Sequence, residues 1–352
     1  MERAPIPTVP PPLPAEAHAL DITRGLSGTR IICTSPGRGQ AAWSLATERP
    51  GARVEGWFLD LFQLEAATGH DGAPENLALT CAADIPGGSF DLAVIPLARD
   101  GEAELARDLL QAALQALDVG GHLVATVDNP RDTWLHGQLA DTGERVRVRP
   151  GTDAVAYVVE KTRPPRIRDF SASVVFRDRD RILTALTRPG VFAHRRIDPA
   201  ARHLLNAVDI APGTRVVDIG CGSGCVGLGI AARDPSVAVH ALDSAARAVD
   251  CTRRSVAANG LVNIAVALEA RGRIPEPGSW DLVLANPPYY ADFRIARLFV
   301  DAAFTALAPG GTLLVATKRP QWYLDTLPES WRDVAREEVK HYHLIEAVRP
   351  EG

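Results

Sequence analysis

TRVVDIGCGSGCVG, Thr214–Gly227, starts as a short apolar strand and runs straight into alternating glycines. Val216 and Val217 suit a strand buried on both faces. Gly220, Gly222 and Gly224 suit a tight turn in which the backbone can approach a ligand before a helix begins. TRIICTSPGRGQAA, from Thr29, repeats the stretch without a gap: Cys33 falls on Asp218, Ser35 on Gly220, Gly37 on Gly222 and Gly39 on Gly224. Two more pairs follow in the same order. SFDLAVIPLA from Ser89 aligns with SWDLVLANPP from Ser279, and LDVGGHLVAT from Leu117 with LAPGGTLLVAT from Leu307. Each half alternates strands with helices, which implies a parallel sheet covered on both faces. The chain therefore reads as two α/β domains of one kind, the first degenerate.

The proline-rich start, PIPTVPPPLP, predicts a disordered tail over 1–24. The first domain is expected over 25–160, a basic linker over 161–188 and the second domain over 189–352. With 352 residues, 46% of them hydrophobic, the chain can fill two cores. The net charge of -5 is uneven: residues 161–196 hold 10 basic and 3 acidic side chains, in an otherwise acidic chain. Such a run is either a solvated linker or a strip that meets phosphates, in which case Arg163, Arg166, Arg168, Arg195 and Arg196 are its candidates. Cys33, Cys81, Cys221, Cys225 and Cys251 have no metal-ligand spacing and read as reduced thiols in a cytoplasmic protein. No apolar run is long enough for a membrane span, and a monomer without metal is expected.

Three features of the second half suggest chemistry. Asp218 stands just before the glycines, where a carboxylate would repel a pyrophosphate but suits a cationic, amino-acid-bearing ligand such as S-adenosylmethionine. The strand VAVHALD ends on Asp243, with Ser244 next, and an acid there can accept from both ribose hydroxyls. DLVLANPPYY, Asp281–Tyr290, ends a strand on Asn286 and freezes the backbone with Pro287 and Pro288, ahead of Tyr289, which can stack on a flat substrate.

Together, D-x-G-x-G-x-G, an acid after the second strand and NPPY after the fourth resemble the class I S-adenosylmethionine-dependent methyltransferases, over about residues 185–352. The resemblance implies two tandem Rossmann-like class I methyltransferase folds, the first without a working site. It implies that Asp218, Gly220, Gly222, Gly224, Asp243, Ser244 and Glu269 hold the cofactor and that Asn286 and Pro287 accept hydrogens from a planar nitrogen. An inactive first copy followed by PGVFAHRRIDPAARHLL further resembles the bacterial 16S ribosomal RNA guanine-N2 methyltransferases. In those, the PGVF segment approaches the cofactor, which adds Phe192. Two features depart from that family: NPPYY stands where it commonly has NPPF followed by His, and the first half is acidic. A protein glutamine N5-methyltransferase, an adenine-N6 methyltransferase and a non-catalytic ribosome assembly factor stay open beside a ribosomal RNA or ribosomal subunit substrate.

Overall fold

The computed structural model describes residues 9–70, 72–288 and 292–351 and divides into two compact units, Met1–Phe170 and Ser171–Gly352. The first unit runs α1 (Pro14–Thr23), β1 (Arg30–Thr34), α2 (Gln40–Glu48), β2 (Arg53–Phe58), α3 (Leu61–Thr68), β3 (Leu77–Cys81), β4 (Phe90–Leu97), α4 (Ala103–Ala116), β5 (Leu117–Val127), α5 (Trp134–Ala140), β6 (Val146–Pro150) and β7 (Val155–Glu160). The second opens with a hairpin, β8 (Ala172–Asp178) and β9 (Arg181–Thr187), then α6 (Pro199–Ala207), β10 (Arg215–Ile219), α7 (Cys225–Arg233), β11 (Ala238–Asp243), α8 (Ala246–Ala258) and β12 (Ile264–Leu268). It closes with β13 (Trp280–Ala285), α9 (Arg294–Ala306), β14 (Leu307–Thr317), α10 (Pro320–Thr326), β15 (Arg332–Val339) and β16 (Tyr342–Val348).

Both units build the same 7-stranded sheet, β3-β2-β1-β4-β5-β7-β6 and β12-β11-β10-β13-β14-β16-β15. In the second, β10 pairs in parallel with β11 and β13, while β16 lies antiparallel to β14. The chain first winds outward from β10 through β11 and β12, then returns to β13 on the other side. That reversal is a topological switch point, and ligands bind in the crevice beyond the carboxyl ends of the strands that flank it. Ile219 pairs with Ala285, so Gly220 and Asn286 leave the sheet side by side. Alternate residues of β10 enter opposite layers: Val216 packs with Leu204, Leu228 and Leu284, and Val217 with Val283, Ala303 and Ile345. The valine run is thus buried on both faces, as parallel strands require.

Two expectations about boundaries need correction. The stretch expected to be a disordered tail contains α1, whose Ala15, Ala19 and Leu20 are buried against the first sheet. Pro14 occupies the first turn, where its missing N–H costs nothing, and the Glu16 carboxylate accepts from the Leu13 N–H at 2.9 Å. The signal was present in the sequence: PAEAHAL continues the gap-free alignment with PAARHLL of α6. The expected linker contains the β8–β9 hairpin, which belongs to the second unit. Phe176, Leu183 and Ala185 turn inward, and the Thr184 and Leu186 N–H groups donate to Asn259, just past α8, and to Ser255 within it. Asp178 forms a buried ion pair with Arg233 of α7 at 2.8 Å. The arginines of this stretch had masked a period-two pattern.

Candidate active site

The glycine loop joins β10 to α7. Gly224 is the residue at which α7 begins, in a left-handed conformation with φ 80°. A Cβ there would meet the Thr252 Cγ2 at 2.7 Å. Gly222, at φ +54°, is different: a Cβ added to it would meet only the Phe192 Cβ, at 4.0 Å, so the loop faces a cradle that a ligand can fill. Asp218 points from β10 beneath this loop, and its Oδ2 accepts from the Gly227 N–H at 2.9 Å, inside the first turn of α7. Asp218 is 3% exposed. Burial pushes its carboxyl up to about 7, with the Gly227 N–H pulling the other way and Asp243 adding to the rise.

Asp243 at the end of β11 ties two loops together. Its Oδ2 accepts from the Gly222 N–H at 2.9 Å and its Oδ1 from the Ala245 N–H at 2.8 Å. Ser244 is half-buried beside it. The Glu269 N–H donates to the Asp243 carbonyl at 3.0 Å, and the Glu269 carboxylate accepts from the Arg271 N–H and pairs with Arg273. The cavity against the glycine loop is lined by two carboxylates, Asp198 and Asp218, and among the described residues by no basic side chain, which suits a cationic ligand.

Asn286 follows the end of β13, and its Nδ2 donates to Asp198 at 2.9 Å. Pro287 is buried and Pro288 half-buried, while Tyr289 lies outside the described residues. One cavity is lined by Phe192, Asp198, Asp218, Gly220, Gly222 and Asn286, among others. Phe192 is 65% exposed, so it forms a rim and not a core contact. The chain resumes at Asp292 and Phe293, both left-handed at φ 47° and 60°, with Phe293 stacked on Trp322 of α10 at 5.1 Å. Sequence reading missed Asp198. An Asp-Pro start ahead of α6 marks a helix cap but names no second partner. The five candidate arginines are exposed; Arg163, Arg166 and Arg168 fall in the first unit, and Arg195 and Arg196 in the second.

The first unit shows the same loop with its space filled. Ser35, in the place of Gly220, accepts from the Gly37 and Gly39 N–H groups at 3.0 and 3.1 Å and donates to Glu16 at 2.6 Å. A Cβ on Gly37 would meet the Gln40 Oε1 at 2.7 Å and Leu13 at 3.2 Å. Asp60, which follows β2 as the acid of the first copy, caps α3 by accepting from the Phe62 and Gln63 N–H groups. Among the described residues no group of His, Cys, Asp and Glu could hold a metal, and no helix is long and apolar enough to cross a membrane.

Residues 182–346 match the methyltransferase small domain family. A Stutzerimonas stutzeri protein named ribosomal RNA small subunit methyltransferase C is 30% identical over 239 residues, covering 65% of this chain and 70% of that relative. The chain belongs to this family. Its namesake in Chromohalobacter salexigens is 35% identical over 159 residues, 42% of this chain and 46% of the relative, so the chain spans about half of that protein. Among solved structures, the T. thermophilus 16S rRNA N2 methyltransferase, in complex with AdoMet and guanosine, superposes with a TM-score of 0.79 at 22% identity over 96% of this chain and 92% of that one. The two chains therefore share one two-domain α/β fold.

Proposed function

We propose that the second domain binds S-adenosylmethionine and methylates the exocyclic N2 of a guanine in small-subunit ribosomal RNA. The observation that carries this reading is the convergence on one cavity of Asp218 and the glycine loop with Asn286, at the point where the strand order reverses. Asp218 faces the cationic methionine end, Asp243 and Ser244 take the ribose, Glu269 approaches the adenine edge and Phe192 covers the rim. Bound S-adenosylmethionine supplies an electrophilic methyl group. A guanine amine is a poor nucleophile because its lone pair is delocalised. The Asn286 Oδ1 and the Pro287 carbonyl accept its two hydrogens, favour a pyramidal nitrogen and aim the lone pair; the prolines fix these acceptors in advance. The base must be unstacked to reach them, and exposed arginines such as Arg195 and Arg196, close in sequence to Phe192, meet the phosphates. Such a substrate places the protein in the cytoplasm.

Family membership favours RNA over the glutamine amide, and the T. thermophilus protein, which acts on 16S rRNA and holds guanosine, favours guanine over adenine. Nucleoside mass spectrometry of 16S RNA from a deletion strain tests the reading. One N2-methylguanosine should disappear and return with the wild-type gene but not with Asn286→Ala. An unchanged nucleoside profile, with loss of an N5-methylglutamine from the proteome, would replace it by the protein-methylating alternative.

A further inference from the structure

We propose that Asp198 is a positioning residue that locks the Asn286 amide in the one orientation able to accept from a substrate amine. The inference rests on the acceptor role given to Asn286 above. Asp198 Oδ2 receives three donors: the Ala200 and Ala201 N–H groups at 3.0 and 3.4 Å, and the Asn286 Nδ2 at 2.9 Å. The first two fix the carboxylate on the end of α6, which is itself anchored through buried Leu204 and Leu205. The third decides which way the amide faces. An asparagine side chain presents two donors on one side and an acceptor on the other, and the two orientations have nearly the same shape. A carboxylate oxygen accepts only, so it binds the NH2 side and commits Oδ1 to the opposite side of the amide. Turned the other way, Oδ1 would meet the carboxylate and the NH2 group would confront the substrate amine, donor against donor.

The degenerate half supports a role beyond helix capping. In the aligned segments of the two halves Leu13 takes the place of Asp198, and Pro96 that of Asn286. Both members of the pair are missing where the site is missing. Yet α1 still forms after Leu13, with no side-chain cap from that position. There Glu16 serves the helix start by accepting from the Leu13 N–H, so the helix can begin without an aspartate at this position, whereas an Asn acceptor that must not flip needs it.

The test compares Asp198→Ser, Asp198→Asn, Asn286→Ala and the double variant Asp198→Ser/Asn286→Ala, using labelled S-adenosylmethionine and small ribosomal subunits. Serine caps a helix well but is too short to hold Asn286, so Asp198→Ser should keep the wild-type melting temperature, cofactor affinity and KM for RNA while kcat falls roughly 10- to 100-fold. Asp198→Asn, which keeps an oxygen in the place of Oδ2, should recover most of the activity. The double variant should be no slower than Asn286→Ala alone, since an orienting group has nothing left to orient. Multiplicative losses in the double variant would overturn the inference, as would wild-type kcat in Asp198→Ser. If Asp198→Ser fails to fold, the comparison moves to Asp198→Asn: loss of kcat there beyond tenfold, with folding intact, overturns the proposal. If Asn286→Ala is as fast as wild type, the acceptor reading itself falls, and this inference with it; if Asn286→Ala is inactive and Asp198→Ser is not, only the role of Asp198 falls.

Discussion

Asp218→Asn separates the electrostatics of the candidate site from its packing. The carboxyl is buried, and its pKa rises from 3.8 to about 7, with desolvation as the largest cause. A folded-state value above the unfolded one means that the folded protein holds the proton more tightly. The benefit of the neutral form is complete below the unfolded value, shrinks as pH rises, and is gone above about 7. At 1.36 kcal/mol for each unit, the ionised carboxylate withholds roughly 4 kcal/mol of stability at alkaline pH. Asparagine keeps the shape and an oxygen for the Gly227 N–H, so the stabilisation by Asp218→Asn should grow by roughly 2–3 kcal/mol from pH 5 to pH 8. Calorimetric unfolding of the full chain measures this. On the proposed assignment the same substitution should weaken S-adenosylmethionine binding, because it removes the negative charge that would face the ligand's ammonium. In the wild type that ammonium should draw the carboxyl down, so binding near pH 6.5 should release protons and the apparent enthalpy should vary with the ionisation enthalpy of the buffer. A pH-independent effect on unfolding, together with binding that moves no proton, would refute the reasoning.

Asp243→Ala removes the acceptor for the Gly222 and Ala245 N–H groups and should weaken cofactor binding by about 1.5–3 kcal/mol, roughly 10- to 150-fold in Kd; unchanged affinity by titration calorimetry rules out the ribose assignment. Gly224→Ala combines a left-handed backbone with a Cβ 2.7 Å from Thr252 and should cost about 1–3 kcal/mol of stability, seen as a lower melting temperature; a wild-type value would show that the turn relaxes freely. Replacing Arg163, Arg166, Arg168, Arg195 and Arg196 by Gln should weaken RNA binding and flatten its dependence on salt, with cofactor affinity unchanged; a wild-type salt slope makes them solvated bystanders.

The alternation of strands and helices, the tandem copies and the placing of Asp218, the glycines, Asp243 and Asn286 at strand ends were legible, because each rests on spacing along the chain; the order of the strands and the antiparallel pair that closes each sheet were not. What was not legible depends on contacts between distant segments. Asp198 reads as an ordinary helix cap, and only the folded chain brings it to Asn286. The helix at Pro14–Thr23 hid behind prolines that precede it, and the β8–β9 hairpin behind arginines on its solvent side. Asp218 was read as a ligand-facing group, and its near-complete burial under α7 could not be seen, since a carboxylate at a strand end gives no sign of how much protein covers it.

Gln40 and Leu13 carry a consequence for the chain as a thermal object. In the first domain they fill the space beside Gly37 that stays open beside Gly222, so a ligand seated in that space would stabilise only the second domain. In the second domain, ligand that binds only the native state contributes about 2.7 kcal/mol at a hundredfold excess over Kd. One polypeptide thus joins a half whose melting is indifferent to the supply of methyl donor to a half whose melting tracks it.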